Sequence, residues 1–247
     1  IKGVFRGTSI MALLKVDQIH THYELSHVLF GVSLEVSEGE VVFLLGRNGV
    51  GKTTTLRSIM GIPTPTSGSV RFDGQEISGF PTHKIARLGI SLVPEDRRIL
   101  AGLSVRENLE IAAMSVTRES GKWDLKRIYR LFPILEKRTR QEAITLSGGE
   151  QQMLAIARGL MSNPRLLLVD EPVEGLAPLV AKAVGDTLME LKKEGVTMLC
   201  VDDDTKLSSQ VADGVYFMDQ GRVVWEGSVQ DVLKNDQEVA KKFLAVG

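Results

Sequence analysis

Uninterrupted apolar runs of strand length alternate along the chain with segments whose apolar residues recur every three or four positions. The clearest runs cover residues 41–45, 166–169 and 196–201. Because these runs have no polar face, we expect strands that are buried on both sides. Strands separated by helices predict parallel pairing through right-handed crossovers, and therefore an α/β fold with a mainly parallel sheet. Looser alternation at 13–19 and 28–36 predicts two short strands near the start.

A run rich in glycine begins directly after the strand at 41–45 and ends where helical spacing begins. It consists of Gly46, Arg47, Asn48, Gly49, Val50, Gly51, Lys52, Thr53 and Thr54. Glycines let the backbone turn tightly and approach a ligand, so that successive amide groups can converge on phosphate oxygens. The helix that follows adds its partial positive charge. A plain glycine turn is the alternative, but the flanking strand and helix favour a phosphate-binding loop.

In a phosphate-binding loop of this pattern, the last residues have distinct tasks. Lys52 reaches the β- and γ-phosphates, the Thr53 hydroxyl binds Mg²⁺, and Thr54 supports the α-phosphate side.

The second buried strand ends at two carboxylates, Asp170 and Glu171. The first can hold Mg²⁺, and the second can orient or deprotonate a water opposite the γ-phosphate. The pair could also merely cap the next turn, and the upstream loop favours the catalytic interpretation.

The middle of the chain has a different character from the strand-rich parts. Ser104 and Glu107 have the spacing of a capping box, and residues 123–135 show helical periodicity. We therefore expect a largely helical insertion over about 96–158, inside one domain that covers 11–247.

The two ends of the chain are less informative. Residues 1–10 show no clear period, so we treat them as an upstream extension or an expression remnant, with Met11 a plausible natural start. Apolar positions between 232 and 243 predict a C-terminal helix.

Composition narrows the function further. The 247 residues carry a net charge of −1, so no global basic field favours nucleic acid as a partner. The single cysteine, Cys200, lies in an apolar run and excludes a disulfide or zinc framework, which fits a reducing cytoplasm. No apolar run approaches the roughly 18 residues that span a bilayer. If a membrane is involved, we expect another chain to provide it.

A third motif lies just upstream of the Asp170 strand and narrows the class of nucleotide-binding protein. Its residues are Leu146, Ser147, Gly148, Gly149 and Glu150. This segment matches the signature of the ABC ATPase family, and with the motifs above in family order the resemblance covers 11–247. Within that family the chain is most similar to the separate ATPase subunits of branched-chain amino acid uptake systems, especially over 93–98, 147–154 and 171–178.

The resemblance implies a fold and a set of partners. The fold would be a P-loop (RecA-like) core with an antiparallel β subdomain and a helical insertion subdomain. Two such domains sandwich two ATP molecules head to tail, so the loop 46–54 of one would face Ser147, Gly148, Gly149 and Glu150 of a second copy or a homologue. Simple helix capping by Ser147 is compatible with that role. The further partners would be integral membrane permease subunits and, indirectly, a periplasmic or extracellular binding protein, which places the chain on the inner face of the membrane.

Other residues acquire roles only through the resemblance. Tyr23 aligns with the family's adenine-stacking aromatic, although it could be a plain loop tyrosine. Glu95 occupies the position that senses Mg²⁺ and water and communicates with the membrane subunit. Residues 97–103 beside it are candidates for the groove that receives a membrane subunit's coupling helix, with an ordinary surface loop as the alternative.

The chain departs from the family pattern at two positions. Asp203 stands where most members have a histidine that contacts the γ-phosphate and the attacking water, and Ala177 stands where many have aspartate. Carboxylates near a triphosphate are unfavourable without a cation. Either Asp203 turns to solvent, or the site hydrolyses ATP slowly and this subunit works beside a more active homologue.

These features together predict an ATP-hydrolysing subunit of an importer for branched-chain or other small amino acids. Transport of urea, amides or lipid on the same machinery is an alternative. Two further alternatives are a low-turnover ATP-binding subunit and a soluble ABC ATPase that acts on DNA or ribosomes.

Overall fold

The computed structural model describes residues 12–114, 122–203 and 205–230, and all structural statements below concern those residues. The expectations for 1–10, Met11 and the C-terminal helix fall outside them. The strands are β1 (Leu14–Tyr23), β2 (Ser26–Val36), β3 (Val41–Leu45), β4 (Ser67–Phe72), β5 (Gln75–Glu76), β6 (Ile90–Val93), β7 (Leu166–Asp170), β8 (Thr197–Asp202), β9 (Gly214–Asp219) and β10 (Arg222–Ser228). The helices are α1 (Lys52–Ile59), α2 (Thr82–Arg87), α3 (Val105–Ala113), α4 (Leu125–Leu131), α5 (Pro133–Lys137), α6 (Gly148–Met161), α7 (Pro178–Lys193) and α8 (Thr205–Val211).

A six-stranded sheet forms the centre of the described structure, in the order β10, β9, β3, β8, β7, β6. Its neighbours pair in parallel except β10, which forms an antiparallel hairpin with β9. Every residue of β3, β7 and β8 is buried, as the apolar runs within them predict. Because the strands are parallel, the carboxyl ends of β3, β7 and β8 meet at one edge of the sheet.

A second, antiparallel sheet in the order β2, β1, β4, β5 covers one face of the central sheet. The apolar side chains between the sheets form one cluster that includes Leu14, Leu34, Leu44 and Leu168. The strands predicted at 13–19 and 28–36 are longer than expected. As a result Tyr23 is not in a link between them but is the last residue of β1, opposite the first residue of β2.

Helices between β6 and β7 pack on the other face of the central sheet, in a second apolar cluster with β3 and α7. The capping box at Ser104 and Glu107 is present at the start of α3. The stretch 123–135 is helical as predicted, but the chain breaks it into α4 and α5 at Phe132 and Pro133. Phe132 has φ −124° and ψ 74°, since the proline ring disfavours a helical conformation in the preceding residue.

The sequence did not predict α2 and α8. Each is six or seven residues long and buries few side chains, so its periodicity is weak. Among the described residues, no helix combines the length and the apolar character needed to cross a bilayer.

Stability should depend on the contact between the two sheets. Leu168 in β7 is fully buried, whereas Leu25 at the turn between β1 and β2 is 100% exposed. We expect Leu168→Ala to lower the free energy of unfolding by about 2–5 kcal/mol, because it removes buried methylenes and leaves a cavity. Urea denaturation measures this, with Leu25→Ala as the matched control. Equal stability of the two variants would contradict this description of the core.

Candidate active site

The loop 46–54, which we call the phosphate loop, leaves the carboxyl end of β3 and leads directly into α1. Glycine is required at two of its positions. A Cβ built on Gly46 would lie 2.4 Å from the carbonyl oxygen of Met218, and one on Gly51 would lie 2.8 Å from Leu29 Cδ2. Gly51 also has φ +111°, which favours glycine strongly. The backbone therefore takes a path that side chains would block.

The start of α1 is open toward the phosphate loop. Its N-cap is Gly51, and no side chain caps the first amide groups. Uncapped amides and the positive end of the helix dipole make such a terminus a site for anions. Phosphate groups fit this position chemically.

Lys52 is the buried positive charge of the site, with 3% of its surface exposed. Its Nζ donates to the carbonyl oxygens of Gly46 and Arg47, at 2.8 and 3.3 Å, and to Oδ1 of Asn48 at 3.3 Å. It also lies 3.3 Å from Oε1 of Glu171. Side chains of the phosphate loop and of the turn after β7 therefore meet through one ammonium group.

Thr53 and Asp170 approach each other between the same two elements. The Thr53 hydroxyl donates to Oδ1 of Asp170 at 2.9 Å. The pKa of Asp170 is raised to about 6, chiefly by burial and also by the nearby carboxylates of Glu171 and Glu95, while the Thr53 hydrogen bond opposes the rise. Hydroxyl and carboxylate oxygens are the ligands that Mg²⁺ prefers, so these two residues fit that ion.

Glu171 points into the site because its backbone departs from the strand direction. Its φ is +43°, a left-handed conformation that is uncommon for a residue with a side chain. The hydrogen bond from its N–H to the carbonyl oxygen of Val201, at 3.1 Å, continues the ladder between β7 and β8 and holds it there. Its side chain is 9% exposed.

Glu171 belongs to an acidic cluster with Glu95 and Glu174, whose nearest carboxylate oxygens all lie within 4.8 Å of one another. A hydrogen bond with Glu171, burial and the charges of Glu171, Glu95 and Asp203 raise the pKa of Glu174 to about 7. The sequence analysis missed Glu174 as a site residue. Its signal is local, since a turn from the Glu174 N–H to the Glu171 carbonyl oxygen brings the two side chains together.

Asp203 is exposed at the end of β8, as one of the two expectations had it. Its N–H donates to Oδ1 of Asp202 at 2.8 Å. It nevertheless lies near enough to raise the pKa of Glu174. Asp203 thus faces solvent and also adds negative charge to the acidic cluster.

The signature segment forms the start of α6. Ser147 caps this helix and Glu150 closes the capping box, as predicted. Gly149 packs so closely on α7 that a Cβ there would lie 2.1 Å from Val180 Cγ1. A Cβ on Gly148 would lie 3.3 Å from Nη1 of Arg97.

Arg97 connects the segment that contains Glu95 to the signature helix. Its Nε donates to Oε1 of the buried Gln152 at 3.1 Å, and its backbone is left-handed, with φ +59°. The sequence analysis placed Arg97 in a possible docking groove and did not foresee this contact. No sequence signal specifies it, because it joins positions 55 residues apart.

Tyr23 is 40% exposed at the end of the β1–β2 hairpin. The same hairpin contacts the phosphate loop, since Gly51 lies against Leu29. An exposed ring on an element that touches the phosphate loop suits stacking on a base.

A family model described as "ABC transporter" matches residues 29–174 of the chain. The chain belongs to the ABC transporter family. It is 40% identical over 223 residues to the high-affinity branched-chain amino acid transport ATP-binding protein BraG of Pseudomonas aeruginosa, covering 90% of this chain and 96% of BraG. It is also 31% identical to the lipopolysaccharide export system ATP-binding protein LptB of Haemophilus influenzae, covering 95% of this chain and 98% of LptB.

Among solved structures, the chain is similar to a dimeric bacterial ABC transporter cassette, MJ0796. The TM-score is 0.77 at 26% identity, with 87% of this chain and 98% of the cassette covered. The ABC fold with its α/β core is thereby confirmed. This chain is an ATP-binding subunit of an ABC transporter, and it hydrolyses ATP.

The raised pKa of Asp170 predicts a pH dependence of stability. The native state holds the Asp170 proton up to about pH 6, whereas the unfolded chain loses it near about pH 3.9. The native state therefore binds more protons in that window, and this group's contribution to the free energy of unfolding falls as the pH rises through it. We expect Asp170→Asn, which stays neutral, to flatten the decline between about pH 4 and about pH 6.

Urea titrations without Mg²⁺ or nucleotide measure this decline. Asp186→Asn, at an exposed carboxyl on α7, is the control. An unchanged pH slope in Asp170→Asn would show that Asp170 does not titrate in this window.

Proposed function

We propose that this chain energises an importer of branched-chain or other small amino acids. The observation that carries the amino acid substrate is the similarity to BraG, which extends over nearly the whole of both chains. The geometry supports the hydrolytic part, because Lys52, Thr53, Asp170 and Glu171 meet at the carboxyl ends of β3 and β7.

Each residue of the site has a task in this proposal. The phosphate loop and the start of α1 bind the triphosphate through backbone amides, and Lys52 contacts the β- and γ-phosphates. Thr53 and Asp170 would hold Mg²⁺, together with Glu95. When bound, the ion neutralises charge on the transferring phosphate.

Glu171 is the general base. A water oxygen bonds to the γ-phosphorus as the bond to the β–γ bridging oxygen breaks, and the water proton passes to the Glu171 carboxylate. ADP carries the electron pair of the broken bond. Lys52, paired with Glu171 at 3.3 Å, keeps that carboxylate close to the phosphate position.

The active unit in this proposal is a dimer with a second copy or with another ABC ATPase. The dimeric form of the MJ0796 cassette supports it. Ser147, Gly148, Gly149 and Glu150 bind the γ-phosphate of the partner's ATP, and the helices within about 96–158 form a subdomain of the 11–247 domain. Tyr23 stacks on the adenine.

The membrane part of the system is proposed on the same basis. Residues 97–103 and Glu95 contact permease subunits at the inner face of the membrane, and an external binding protein delivers the substrate to them. The similarity to LptB keeps lipid as a second candidate cargo.

ATP hydrolysis by the purified chain tests the dimer and the base together. We expect the specific rate to rise with protein concentration, because each site needs a partner's signature segment. Glu171→Gln keeps the size of the side chain but cannot accept the proton, so we expect a loss of at least about 100-fold in kcat.

Asp203→His distinguishes an active subunit from a low-turnover one. It removes a negative charge that raises the pKa of Glu174 and restores the family's usual residue. A large gain in rate would assign this chain to the weaker half of a heterodimer. An unchanged rate would show that the exposed Asp203 leaves the site competent.

For the Glu171→Gln variant, full hydrolysis would refute the role of Glu171 as base.

Uptake of radiolabelled leucine, isoleucine and valine tests the cargo. Cells whose native copy is replaced by Glu171→Gln should lose this uptake, while cells carrying Leu25→Ala at the exposed hairpin turn should keep it. Normal amino acid uptake beside a defect in lipid export would replace the proposed cargo with lipid.

A further inference from the structure

Three of the four histidines of the chain lie on the β1–β2 hairpin, although the nucleotide site uses none of them. His20 and His22 are on β1, and His27 on β2 pairs with His22 across the hairpin. All three side chains are half-buried. Between His20 and His22, Thr21 turns the other way and is buried against α1 through a 2.9 Å contact with Ser58.

The imidazole ring of His27 is in direct contact with the rings of both His20 and His22. Nδ1 of His20 lies 3.1 Å from Nε2 of His27. The ring of His22 stacks on that of His27, with centroids 4.0 Å apart and planes at 14°. The other side of the His27 ring packs on Phe30, at 3.9 Å between centroids.

The distance between the nitrogens of His20 and His27 suits a shared metal ion. Imidazole nitrogens bind zinc at about 2.0–2.1 Å, so two of them at an angle of about 100° are about 3.1 Å apart. The pair now shares one proton in a hydrogen bond. If an ion binds, the donor ring moves that proton to its other nitrogen, and no net proton is released.

The Thr66 hydroxyl contacts the third ring. Thr66 Oγ1 lies 3.1 Å from the carbonyl oxygen of His20 and 3.0 Å from Nδ1 of His22. Its one hydrogen can donate to only one of these two atoms. When it donates to the carbonyl oxygen, Oγ1 accepts from Nδ1–H of His22, and the lone pair of His22 is on Nε2. A histidine that donates through one nitrogen to an oxygen and offers the other to a metal is the usual arrangement in metal sites.

Carboxylates do not compete for these rings. In the described parts of the chain, no ion pair joins His20, His22 or His27 to an aspartate or glutamate. A set of imidazoles without carboxylates suits zinc, nickel or copper rather than Mg²⁺.

We propose that His20, His22 and His27 bind one divalent transition-metal ion of the zinc, nickel or copper class. His20 Nδ1 and His27 Nε2 are the first two ligands. The ligand nitrogens of the three histidines do not all lie within 4.8 Å of one another. Nε2 of His22 therefore becomes the third ligand only when its ring turns out of the stack on His27. The ion ties β1 to β2 at the base of the turn that follows Tyr23.

Calorimetric titration of the untagged chain with Ni²⁺ tests the site. Excess Mg²⁺ is included to occupy the carboxylates of Glu95, Glu171 and Glu174. We expect one Ni²⁺ per chain, and an affinity at least about 10-fold weaker in His27→Ala and in His22→Ala. His83→Ala is the matched control, since His83 is exposed on α2, away from the hairpin. It should bind Ni²⁺ as the unchanged chain does.

Two results would overturn the proposal: no Ni²⁺ binding by the unchanged chain, or equal affinity in His27→Ala. Equal affinity in His22→Ala alone would refute the third ligand. Because His27→Ala also removes ring packing, the Cu²⁺ form of the unchanged chain gives an independent measurement. Electron paramagnetic resonance should show splitting from at least two imidazole nitrogens, whereas a spectrum with oxygen ligands only would contradict the site.

Discussion

The buried ion pair between Lys52 and Glu171 is the interaction on which the rest of the site depends. Its nitrogen and oxygen lie 3.3 Å apart, and both side chains are nearly inaccessible to water. Buried charges are tolerated only with partners, so each residue requires the other and the loop carbonyls around it. The pair is possible because β3 and β7, separated by β8, end at the same edge of a parallel sheet. The fold therefore sets the distance between the phosphate loop and Glu171.

Backbone strain accompanies function at two places in this structure. Glu171 and Arg97 both have left-handed backbones, which cost on the order of 1–3 kcal/mol for residues with side chains. Each is held by contacts from a different element. The ladder between β7 and β8 holds Glu171, and the signature helix holds Arg97 through Gln152. The Arg97 contact thus connects α6 to the segment that carries Glu95.

The sequence was sufficient for the elements and motifs whose signals are local. Buried strands, the phosphate loop and both capping boxes follow from runs, spacing and residue type within a few positions. Pro133 also predicts the break at Phe132, but the helical periodicity on both sides of the proline obscured this signal. In contrast, the contacts of Arg97 with α6 and of His20 with His27 depend on packing and strand register. A register shift of one residue in the hairpin would separate the histidines, and periodicity alone does not fix it.

The acidic cluster makes the site electrostatically unfavourable for a bound phosphate on its own. Glu95, Glu171 and Glu174 place carboxylate oxygens within 4.8 Å of one another, and Asp203 adds charge from the end of β8. The pKa of Glu174 is raised to about 7, so near neutral pH part of this repulsion is relieved by a proton. A divalent ion beside Asp170 would relieve it more fully and would free Glu171 to act as a base. Asp203 increases the benefit of such an ion, because its negative charge adds to the repulsion that raises the pKa of Glu174.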